Sequence, residues 1–143
     1  MPLYFGLPAG KADGYAIGSA ALAATLTAAY SGNTYNFQTD GNDYAIIYVT
    51  YTPAENTRNC YLQIEGGPNS SDFFLKSSLL DSISGESTLL SHTAKLPGAT
   101  SGTAYKMRWE VPIADKWMRI SVKEDGAGTF GTVTVQMILR QLP

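Results

Sequence analysis

From residue 44 onward, large apolar side chains recur at every second position. The segment Tyr44–Thr52 reads YAIIYVTYT, with aromatic and β-branched residues on both faces, and it stops at Pro53. Such residues favour strands, and proline ends them by removing a ladder donor. Residues 59–65 alternate Cys60, Leu62 and Ile64 against Tyr61, Gln63 and Glu65. Residues 105–111 set Tyr105, Met107, Trp109 and Val111 against Lys106, Arg108 and Glu110. In 117–123, Met118, Ile120 and Val122 oppose Arg119, Ser121 and Lys123. Residues 131–140 turn Val133, Val135, Met137 and Leu139 inward, with Thr132, Thr134, Gln136 and Arg140 outward. A period of two marks half-buried strands. Turn clusters separate them, at Gly66-Gly67-Pro68-Asn69 and at Glu124-Asp125-Gly126-Ala127-Gly128.

The remaining segments carry weaker patterns. Alanines and leucines in 20–30 permit a helix capped by Ser19, but Thr25, Thr27 and the Ser31-Gly32-Asn33 turn favour a strand. Residues 70–101 are Ser-rich with scattered Phe and Leu, the signature of a long excursion holding a short helix or hairpin. Residues 1–14 hold two prolines and three glycines among Leu3, Tyr4, Phe5 and Leu7. That density opposes helix and central strand, so the segment reads as an extended arm. Its four apolar side chains are candidate anchors on a neighbouring subunit, with main-chain bonds to a sheet edge adding to burial. The expected architecture is all-β: one antiparallel β-sandwich over 15–143, preceded by the arm over 1–14.

Composition narrows the function. One domain of 143 residues is of ordinary size. Charged residues make up only 15%, and polarity comes instead from 14 Gly, 14 Thr and 12 Ser. Ten basic and twelve acidic residues give a net charge of -2, with no basic stripe, so nucleic acid is not an expected partner. No run approaches the ~18 apolar residues of a membrane span. The Ala-rich stretch 16–29 is interrupted by Ser19, Thr25 and Thr27, unlike a signal sequence. A soluble protein made in a cytoplasm is the resulting expectation.

Candidate chemistry is sparse. One cysteine, Cys60, excludes an internal disulfide, and one histidine, His92, excludes a multi-histidine metal site. His92 lies between Ser91 and Thr93 in a polar stretch, and no G-x-S-x-G elbow surrounds any serine. Cys60 falls in the inward register of its strand, as a buried thiol would. Asp40-Gly41-Asn42-Asp43 lacks the spacing and closing Glu of a calcium loop. Glu65, Asp72, Asp81, Glu86 and Glu110 qualify for paired-carboxylate chemistry by residue type alone. Neither a catalytic centre nor a cofactor is expected.

Aromatic surface is the richer signal. Nine tyrosines, two tryptophans and five phenylalanines form 11% of the chain. Tyr44, Tyr48, Tyr51 and Tyr61 lie on neighbouring strands, and both faces of YAIIYVTYT carry aromatics, so some must face outward. Tyr44, Tyr48 and Tyr61 are therefore candidate partner-binding residues, alongside Leu3, Tyr4, Phe5 and Leu7.

The runs Tyr48-Val49-Thr50-Tyr51-Thr52-Pro53, Arg119-Ile120-Ser121-Val122-Lys123-Glu124 and Gly131-Thr132-Val133-Thr134-Val135 resemble small β-sandwich virion proteins of tailed bacteriophages, over residues 44–140. The resemblance implies a jelly-roll-like fold and a non-enzymatic role as a capsid decoration protein. It further implies residence on the capsid surface, with the major capsid protein and copies of this chain, as a homotrimer, for partners. The chief alternative is a carbohydrate-binding or adhesin-type sandwich that stacks sugars on Trp109, Trp117 or exposed tyrosines. Against it, Trp109 lies in the inward register of its strand. A tail or connector component and a minor coat protein of a non-tailed virus are further alternatives.

Overall fold

The computed structural model describes residues 15–16, 22–75, 77–81, 88–91 and 93–141, which hold twelve strands and no helix. These are β1 (Tyr15–Ala16), β2 (Leu22–Thr25), β3 (Thr34–Gln38), β4 (Tyr44–Thr52), β5 (Arg58–Gly67) and β6 (Phe74–Leu75). They continue with β7 (Ser77–Asp81), β8 (Thr88–Ser91), β9 (Thr93–Gly98), β10 (Tyr105–Pro112), β11 (Trp117–Glu124) and β12 (Thr132–Arg140). One sheet runs β1-β12-β4-β10 with β2 also on β12, and the other runs β3-β11-β5-β6 with β9 also on β5. All pairings are antiparallel.

The pairings are nested. β2 pairs β12, β3 pairs β11, β4 pairs β10 and β5 pairs β9. The chain is thus one long hairpin whose two arms pair along their length and then roll into two facing five-stranded sheets, whose eight main strands are β2-β12-β4-β10 and β3-β11-β5-β9. That is the jelly roll, the antiparallel β-sandwich with two Greek keys. The excursion between β5 and β9 sits at the tip of the hairpin and carries β6 and the β7–β8 hairpin.

Alternation places the core. Ile47, Val49 and Tyr51 of β4 and Val135, Met137 and Leu139 of β12 meet Leu62, Ile64, Met118 and Ile120 from the opposite sheet, each at most 2% exposed. Residues 20–30 contain a strand, as their threonines favoured, and 70–101 contain a hairpin. Tyr105, Met107 and Trp109 point inward as expected but are only half-buried, because β10 is an edge strand with β4 as its one paired neighbour among the described residues.

Two turn assignments are corrected. β5 continues through Gly66 and Gly67, which pair with Met118 and Trp117, and glycine is required at both because a Cβ at Gly66 would strike the Asp115 carboxylate and one at Gly67 the Asp72 carbonyl. The turn begins at Pro68 and is built by Asn69, whose side-chain oxygen accepts bonds from the Ser71 and Asp72 amides, both at 2.9 Å. Glu124 belongs to β11 and is fully buried, so the second turn starts one residue later. The arm over 1–14, with Leu3, Tyr4, Phe5 and Leu7, lies outside the described residues, as do His92 and Glu86.

Candidate functional site

The central strand β4 explains its own composition. Its odd-numbered positions 45–51 enter the core, while Tyr44, Ile46, Tyr48, Thr50 and Thr52 form the outer face of the β12-β4-β10 sheet. Register then builds that face in rows. Gln136, Tyr48 and Arg108 lie side by side, followed by Ile138, Ile46 and Glu110, then Arg140, Tyr44 and Pro112. In the other direction come Thr134, Thr50 and Lys106. The face is a line of two tyrosines and an isoleucine with cations at both edges.

Tyr48 is 38% exposed, one of two large hydrophobic side chains left open among the described residues. Ile46 in the next row is only 4% exposed, so it is covered and Tyr48 is the open apolar side chain of this face. Arg108 hydrogen-bonds the Tyr48 hydroxyl, which raises the guanidinium pKa, and lies 3.4 Å from Glu110. A shallow groove of about 330 Å³ runs beside Tyr48, lined by Thr50, Lys106, Arg108 and Gln136. A second, of about 460 Å³, lies at the other end of the same face between Tyr44, Asp43, Glu110 and Pro112. Both are open troughs of a sheet surface.

Tyr61 does not join this face. It lies on the outside of the opposite sheet, where the Lys123 ammonium sits 5.8 Å from its ring and 4.8 Å from that of Tyr30. Lys123 between two rings is a cation–π clamp. The two sheets separate Tyr44 and Tyr48 from Tyr61, because each successive strand from β2 to β5 crosses to the other sheet. Phe74, on β6, is 66% exposed. Sequence reasoning passed over it because it lies in the Ser-rich excursion without a period.

The carboxylates are mostly engaged in structure. Glu65 accepts Arg119 Nε and Nη2 at 3.0 and 2.6 Å, and Arg119 stacks 4.7 Å over Phe73. Burial pushes the Glu65 carboxyl up, but the Arg119 bonds and charge outweigh it and hold the pKa below the usual range. Asp72 accepts Asn69 Nδ2 at 2.8 Å. Glu110 is a solvated carboxylate, with 57% of its side chain exposed. The Asp40–Asp43 segment is a turn in which Asp40 (φ 52°) and Gly41 (φ 74°) are left-handed and the Asn42 amide bonds the Thr39 carbonyl at 3.0 Å. Among the described residues no group of three or more His, Cys, Asp or Glu side chains is placed to hold a metal.

One buried carboxylate went unseen in the sequence. Glu124 is 0% exposed, accepts the Tyr51 hydroxyl at 2.5 Å and the Gly131 amide at 3.1 Å, and pairs in register with Cys60. The Met118, Ile120, Val122 series points straight to it: 124 is the next inward position. Burial, then the hydrogen bond and charge of Glu124, drive the Tyr51 phenol pKa far up. Burial and the Glu124 charge push the Cys60 thiol up to about 12, leaving it protonated and inert at neutral pH.

No family model matches the chain, and no curated protein does. One similar solved structure is described as a family GH115 4-O-methyl-α-glucuronidase, BtGH115A, with specificity for decorated arabinogalactans. It aligns at 13% identity and a TM-score of 0.46, over 94% of this chain and 17% of its own. A likeness of that size assigns neither family nor activity.

Proposed function

We propose that this chain is a non-enzymatic structural subunit of a phage virion, a decoration protein that docks on the head and stabilises the coat lattice. The supporting observation is the outer face of the β12-β4-β10 sheet. It offers the exposed Tyr48 and the half-buried Tyr44 with a polar rim, the anatomy of a protein interface. The jelly roll is itself a fold of capsid proteins, and the low charged fraction of 15% suits a surface buried in assembly.

A second reading has an observation of its own. The jelly roll also serves lectins, and the groove beside Tyr48 combines an aromatic ring with an amide and two cations. That combination suits a sugar chain.

Purified protein applied in parallel to a glycan array and to phage heads lacking this chain separates the two. The proposal expects saturable binding to heads and none to glycans. Tyr48→Ser should weaken head binding by roughly thirtyfold, the size of an interface hot spot. Glycan binding that Tyr48→Ser abolishes would replace the first reading with the second.

A further inference from the structure

The edge of β10 that faces away from β4 is complementary to itself, and we infer that two copies of this chain pair there across a two-fold axis centred on Trp109. Arg108 and Glu110 belong both to this edge and to the outer face, so the pairing is read out by self-association and not by binding to heads or glycans. β10 spans eight residues, Tyr105–Pro112, and pairs with β4 alone among the described residues, so one row of its main-chain groups faces away from the sheet. An edge of this length is a template for another strand.

Register selects the partner. Opposite residues of an antiparallel pair point to the same side, so a two-fold axis perpendicular to the sheet must pass through a residue. With the axis at Trp109, Arg108 lies opposite Glu110 of the second copy, and Glu110 opposite Arg108, giving two ion pairs on the outer side. On the inner side Met107 meets Val111, Tyr105 meets Ile113 and the two Trp109 rings meet. All five of these residues already pack on the core. The nearest alternative axes fail on charge. Centring on Arg108 opposes two arginines, centring on Glu110 opposes two glutamates, and centring on Met107 sets Lys106 against Arg108 twice. Only the Trp109 axis gives opposite charges twice with no like pair.

The same register closes the assembly. Lys106 falls opposite Pro112 of the second copy at each end, so no like charges meet there, and the two-fold uses each β10 edge once. The product is an isologous pair with one sheet running through both copies.

Charge reversal tests this on the full chain, with sedimentation across a concentration series as the readout. Arg108 and Glu110 side chains are 51% and 57% exposed, so their substitution leaves the core intact, and circular dichroism checks that each variant folds. The native chain is expected to be a dimer. Arg108→Glu or Glu110→Arg sets two like pairs across the axis and should raise the dissociation constant roughly tenfold to a hundredfold. The double swap, Arg108→Glu with Glu110→Arg, restores both pairs and should restore the dimer. As a second readout, Arg108→Cys and Glu110→Cys chains should form a mixed disulfide only when combined. A monomer at all concentrations, a trimer, or a dimer indifferent to both reversals overturns the inference.

Discussion

Removing one oxygen atom, by Tyr51→Phe, tests how this sandwich tolerates a carboxylate in its core. Tyr51 and Glu124 are both 0% exposed and joined at 2.5 Å, and the other bond to the carboxylate comes from the Gly131 amide at 3.1 Å. A hydrogen bond to a charged group contributes about 1.5–3 kcal/mol net, and the dry surroundings put this one at the upper end. The ring keeps its packing in the phenylalanine variant, so nearly all the loss is the hydroxyl. The expected cost is about 2–3 kcal/mol, a drop of roughly 1–1.5 M in the urea midpoint for a slope near 2 kcal/mol/M. The decisive arm repeats the substitution on Glu124→Met. There the Tyr51 hydroxyl has lost its acceptor, so its removal should be neutral or mildly stabilising. A double-mutant cycle from urea titrations then gives a coupling of about 2–3 kcal/mol. Equal costs of Tyr51→Phe in both backgrounds would refute the reasoning, since the loss would then be packing and not the bond.

Gly131→Ala should be among the worst single changes, costing about 3 kcal/mol or more in the same titration, because its Cβ would meet Pro53 Cα at 2.7 Å and Glu124 Oε2 at 2.8 Å. Trp109→Ala is expected to cost about 1.5–3 kcal/mol, below the value for a fully buried tryptophan, because its edge strand leaves the ring half-covered. A thiol whose folded pKa is raised gives stability that is complete below its unfolded value and lost as pH climbs through the folded one. With Cys60 raised from 9.0 to about 12, stability should fall by about 1 kcal/mol from pH 9 to 10, and Cys60→Ala should flatten that interval. Glu65 runs the opposite way: its lowered pKa gives stability present above the ordinary carboxyl range and lost as pH falls through the folded value. Thermal melts of Arg119→Met should therefore differ from the parent more at pH 7 than at pH 3.

Strand identity was legible wherever period two ran for seven residues or more, as in β4, β10, β11 and β12. It was not legible in β3, whose five residues include only Tyr35 and Phe37 as inward positions, or in β9, which lies inside the Ser-rich stretch and contains Pro97. Proline is tolerated there because, among the described residues, β9 is an edge strand paired to β5 alone. Alternation also reports which side chains share a face but not which sheet a strand joins. That is why Tyr61 read as a neighbour of Tyr44 and Tyr48 when the chain crosses between sheets at each turn. Glu124 was misread for a different reason. Its acidic type and the glycines after it signalled a turn, while its register signalled the core, and the Tyr51 hydroxyl that reconciles the two comes from a strand 73 residues away. Trp109 shows the converse limit, since inward register sets direction while position in the sheet sets burial.

The proposed role is tested most directly by a quantitative protein census of purified particles from the source that makes this chain. A decoration protein should appear in those particles at a copy number comparable to that of the coat subunit, and be depleted when Tyr44 and Tyr48 are both replaced by serine. Absence from the particles, or a copy number matching a single tail or connector ring, would contradict it.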